Sequence, residues 1–112
     1  MRASRPFHTK QLELLKDPRS AAIYLEEALA EGDAAAFKLA LRNVAEARIG
    51  GMTALSERTA LNRESLYRAL SAEGNPTFET LTRVMHALGL RLSVTPEDAG
   101  QPERPTTSVS AE

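Results

Sequence analysis

Arg63, Glu64, Ser65, Tyr67 and Arg68 are packed into six consecutive positions. Their side chains are suited to hydrogen bonding with charged and heteroatom-rich partners, and not to bond making. An arginine can bridge O6 and N7 of a guanine, worth ~1 to 3 kcal/mol of discrimination per contact. Glu64 can accept from N4 of a cytosine, or it can simply favour a helix N-terminus by charge. Ser65 serves as a capping partner or a phosphate contact. Tyr67 can rest its ring on the core edge and send its hydroxyl to a phosphate. Asn62 precedes the group as an N-cap, its oxygen accepting from an N–H of the following turn. Thr53 offers a hydroxyl near a positive helix end, either as a phosphate site or as a plain N-cap. Asn75 and Thr77 repeat that arrangement, with capping the simpler role. The plain rival for Arg63 and Arg68 is a pair of solvated surface charges.

Two helical patterns must position these groups. In MTALSERTALNRESLYRAL (52–70), Met52, Leu55 and Thr59 share one face, Leu66, Ala69 and Leu70 share another, and a polar break falls at Leu61-Asn62. Two short helices and a tight turn form the layout of a helix-turn-helix, whose second helix enters the major groove. Such a pair also occurs in bundles that never touch DNA.

Upstream, residues 1–8 read as a disordered arm, and Thr9 caps a short helix to Lys16 with Leu12 and Leu15 on one side. Asp17-Pro18 opens a helix over about 18–31, with Ala22, Leu25 and Leu29 at helical spacing and Gly32 beyond its end. Asp33 caps a third helix bearing Phe37, Leu41, Val44 and Arg48 on one face, with Arg42 and Glu46 as an i, i+4 pair on the wet side. Gly50-Gly51 stops it. Downstream of the motif, Thr77 caps a last helix with Phe78, Leu81, Val84, Met85 and Leu88 inward. Residues 90–95 then switch to period 2, and the proline-rich remainder, 96–112, reads as a flexible tail. The expected core is Leu25, Leu29, Phe37, Leu41, Val44, Leu55, Leu66, Leu70, Phe78, Leu81 and Leu88. The fold class is all-α, five or six helices with one short C-terminal strand, as one domain over 17–95 with the helix-turn-helix at about 53–71.

Composition narrows the function. The 112 residues contain no cysteine, so disulfides and thiolate metal sites are excluded. His8 and His86 stand apart, and there is no H-E-x-x-H, P-loop or G-x-S-x-G. No enzyme, cofactor or metal is expected. No apolar run approaches the ~20 residues of a membrane span, and the N-terminus lacks a signal-peptide core, so a cytoplasmic protein is the default. The net charge of -1 is low for a DNA binder, but residues 53–94 hold five arginines against four glutamates. Such a protein would depend on base contacts or on a dimer.

Residues 50–94 resemble the lambda-repressor/Cro-like helix-turn-helix of the addiction-module antidote proteins, through LNRESLYRALS, GNPTFETL and HALGLRLSV. The resemblance reaches back to KDPRSAAIYLEEALAEGD and covers about residues 16–95. It implies an antitoxin that binds operator DNA, represses its own operon and neutralises a small toxin of the RelE/ParE type. Two alternatives remain, a stand-alone regulator and a protein-binding helical module without DNA binding. The acidic run Glu26, Glu27, Glu31 and Asp33 suggests that residues 17–48 face a basic toxin. The lone strand lacks a partner, so a homodimer is expected to pair Leu90, Leu92 and Val94 with their twofold mates, those side chains packing onto the last helices. An extended tail closing the monomer's own core is the rival arrangement.

Overall fold

The computed structural model describes residues 4–97, and their regular structure is entirely helical: α1 (Ser4–Leu15), α2 (Pro18–Ala30), α3 (Ala34–Ile49), α4 (Met52–Thr59), α5 (Arg63–Ala69) and α6 (Phe78–Ala87). Helix starts follow local chemistry. Asp17 accepts from the Ser20 N–H at 2.9 Å with Pro18 at the first helical position. That backbone N–H holds the Asp17 carboxyl below the usual carboxylate range. Asp33 accepts from Ala35 and Ala36, Asn62 from Ser65, and Thr77 from Thr80. Two successive left-handed residues, Gly50 at φ 98° and Gly51 at φ 122°, close α3 and launch α4. A Cβ would strain both positions.

α3 packs against α1, α2 and α4, and α4 in turn carries α5 and α6. Between them lies a core of Leu25, Leu41, Val44, Leu55, Leu66, Leu70, Val84 and Leu88, with Leu15 and Ala21 sealing the α1–α2 end.

Several expectations change. α1 begins at Ser4 and not at Thr9; Pro6 is compatible with this start, since it falls in the first turn, where its missing N–H costs no intrahelical bond. Residues 1–3 of the expected arm and the tail from residue 98 lie outside the described residues. α2 buries Ala21 and Leu25, leaving Ala22 and Leu29 exposed. Two adjacent alanines make both stripes periodic, and the smaller one seats the helix. Phe78, expected in the core, is 75% exposed as the first residue of α6, beyond the edge of the packed layer. Phe37 and Leu81 are partly buried against the core.

The expected C-terminal strand is absent from the described residues. Leu90 packs on the core and its N–H donates to the Met85 carbonyl, but residues 91–96 form no backbone hydrogen bond with the described chain. A strand exists only by pairing, and one chain supplies no second edge. Leu92 is 39% exposed, at the edge of a groove that it lines with Leu25 and Phe37, and Val94 is 97% exposed.

Candidate nucleic-acid interface

α4 and α5 are joined by Ala60, Leu61 and Asn62, and the joint is held at several points. Ala60 is the single non-glycine residue of positive φ among those described, at 62°. The buried Thr59 hydroxyl donates to the Leu55 carbonyl at 2.8 Å and accepts from the Leu61 N–H at 3.3 Å. Ser56 Oγ donates to the Leu61 carbonyl at 2.7 Å, and Arg83 from α6 donates to the Thr59 carbonyl at 3.3 Å. Asn62 Oδ1 then accepts from the Ser65 N–H at 3.0 Å and starts α5.

α5 packs on α4 through Leu66, with Leu70 buried just beyond its end. Its other faces are open: Arg63, Glu64, Ser65, Tyr67 and Arg68 are all exposed. Arg63 is nevertheless placed. Its Nη1 donates to Thr53 Oγ1 on α4 at 3.2 Å, and its guanidinium carbon stands 5.9 Å from the Tyr67 ring centroid. At an exposed site the cation–π contact is worth ~0.5 to 1 kcal/mol, enough to bias a rotamer. Thr53, Arg63 and Tyr67 therefore form one outward-facing cluster.

The remaining candidates are dispersed. Thr53 is not the cap of α4, a position that Gly51 occupies without a side-chain hydrogen bond. Ser65 serves the Asn62 cap through its N–H. Thr77 caps α6 and also bonds Thr80 Oγ1 at 3.1 Å, while Asn75 is exposed in the α5–α6 turn.

What aims α5 lies mostly outside the motif. Lys38 is 5% exposed, and its Nζ donates to the Ala72 carbonyl at 3.0 Å and to that of Gly74. Arg42, expected on the wet side of α3, is half-buried and donates to the Leu70 carbonyl. Arg48 donates to the carbonyls of Leu88 at 2.8 Å and Lys16 at 2.7 Å. Three cations of one helix thus satisfy carbonyls beyond the ends of α1, α5 and α6, groups that a helix leaves unpaired. Gly74 completes the joint, since a Cβ there would stand 2.0 Å from the Arg68 carbonyl oxygen and 2.6 Å from that of Ala69. The sequence did not reveal the carbonyl contacts of Lys38, Arg42 and Arg48 or the close fit of Gly74. The available signal was the position of Lys38 and Arg48 beside an apolar stripe.

Among the described residues no group of three or more His, Asp or Glu could hold a metal ion, and no helix is long and apolar enough to cross a membrane. No solved structure matches the chain. An uncharacterized protein of Haemophilus influenzae (strain KW20 / Rd) is 42% identical over 72 residues, 64% of this chain and 72% of that protein. A family model described as "Probable addiction module antidote protein" matches residues 6–96, from within α1 to beyond α6, and the chain belongs to that family.

Proposed function

We propose that the protein is a DNA-binding antitoxin whose α4–turn–α5 unit acts as a lambda-repressor-like helix-turn-helix, with α5 in the major groove of its own operator. The cluster of Thr53, Arg63 and Tyr67 carries this reading. A guanidinium held by a neighbouring hydroxyl and ring, on a helix anchored by one face only, is pre-ordered for a base edge. Arg63 and Arg68 are the main readers, with Glu64 beside them. Tyr67, Ser65, Asn75 and Thr77 lie near enough along the same segment to meet phosphates. Phosphate contacts of this kind set register, and base contacts set sequence.

Repression of its own operon and neutralisation of a small toxin, of RelE/ParE type by resemblance, complete the reading. A homodimer supplies the symmetry. The unpaired backbone of residues 91–96, with Leu92 and Val94 exposed beside it, suits an antiparallel ribbon with a second copy. Leu25, Leu29, Phe37, Leu90 and Leu92 line a groove beneath it that the same contact would cover.

Equilibrium binding to a duplex carrying the protein's own promoter tests the proposal. Arg63→Ala and Arg68→Ala should each weaken binding by ~1 to 3 kcal/mol and relax base preference. Wild-type affinity and preference in both variants would remove α5 from the groove.

A further inference from the structure

Among the described residues eight large apolar side chains stand exposed, and three of them, Leu14, Ile23 and Leu39, come from three successive helices. Leu14 and Ile23 line a depression between α1 and α2, and Leu39 lines one between α2 and α3. Tyr24 and Glu27 line both, so the two depressions form one continuous surface. Its floor is fixed, because the half-buried Tyr24 hydroxyl accepts from Asn43 Nδ2 at 2.9 Å. The charged groups lining it are Glu27 and Glu31, with no lysine or arginine. Neither carboxylate forms an ion pair with another described residue.

An apolar patch edged by carboxylates of one sign selects its occupant. Duplex DNA and acidic surfaces are repelled. A second copy of the chain meeting the same patch about a twofold axis would set Glu27 and Glu31 against themselves, since such contacts are isologous. A cationic segment with aliphatic side chains would fill both depressions and neutralise both carboxylates. We infer that the α1–α2–α3 face is the toxin-binding surface, and that it receives a basic, aliphatic segment of the partner toxin. This rests on the antitoxin reading. The residues lining this surface do not include Lys38 or Arg42, the α3 side chains that hold the α5 joint, so toxin and operator can be held together.

The test uses the full-length protein, the purified toxin from the adjoining reading frame and the promoter duplex, each complex measured by titration. Glu27→Lys combined with Glu31→Lys should weaken toxin binding about tenfold or more, through like-charge repulsion at the contact. Ile23→Asp should do the same by a different route. Phe78→Ser, which alters an exposed apolar residue elsewhere, should leave toxin binding unchanged. Operator binding by the Glu and Ile variants should match wild type, which verifies their fold. Toxin bound equally by the wild type and by both variants overturns the surface assignment alone. A wild-type protein that binds the promoter but not the toxin overturns the antitoxin reading and the assignment with it.

Discussion

Of two residues beside the candidate interface, Ala60 is strained as it stands and Gly74 is unstrained but has no room for a Cβ, so their substitutions should move stability in opposite directions. Ala60 holds a left-handed conformation at φ 62° that costs an L-residue ~1 to 2 kcal/mol. Ala60→Gly relieves that strain but gives back chain entropy, so a net gain of roughly 0.5 to 1 kcal/mol is expected. Gly74→Ala places a Cβ against two backbone carbonyls that cannot rotate away. A loss of ~2 kcal/mol or more is expected, as for a severe overpacking. Denaturant melts of the two variants measure both effects. A stabilised Gly74→Ala protein would mean that the turn has another low-energy path. The exposure of Arg63, Glu64, Tyr67 and Arg68 was legible in the sequence, because Arg, Glu and Tyr on a helix presuppose solvent or a polar partner. The Thr53–Arg63 bond was not, since it depends on how α4 crosses α5.

At the scale of elements, legibility followed sequence separation. The caps at Asp17, Asp33, Asn62 and Thr77 act two or three residues away, and their positions were read directly. The α3 cations act across 28 to 40 residues, so nothing in local pattern distinguishes Arg42 from a solvated arginine. The α2 stripe was misread for a third reason, two adjacent alanines that fit either face. α3 is the element that sets the pose of α5, through Lys38 at Ala72 and Gly74 and Arg42 at Leu70. Lys38→Met keeps most of the buried stem but leaves two carbonyls without their donor. Stability should fall by ~1 to 3 kcal/mol. Amide exchange at residues 69–74 should quicken while that of α1 and α2 stays slow. Uniform exchange behaviour would show that Lys38 supports the whole molecule and not the α5 joint.

For the whole molecule, the cations free to meet an anionic partner are fewer than the total of 14 lysines and arginines. Lys38, Arg42, Arg48 and Arg83 are directed to backbone carbonyls, leaving Arg58, Arg63 and Arg68 as the exposed cations of α4 and α5. Three cations per chain would provide a small electrostatic contribution to the proposed operator binding, and the proposed second copy would double it. The described monomer also leaves residues 91–96 unpaired, and one dimer ribbon would resolve both deficits. Related by a twofold axis, two α5 helices would enter successive major grooves about one turn, ~34 Å, apart. Interference by guanine N7 methylation across the protein's own promoter tests α5 in the groove most directly, because N7 faces the major groove and is one of the atoms an arginine would bridge. The expected result is two patches of interference one helical turn apart, with one guanine in each patch losing its effect in Arg63→Ala. Binding that tolerates N7 methylation at every guanine of the promoter would contradict the account.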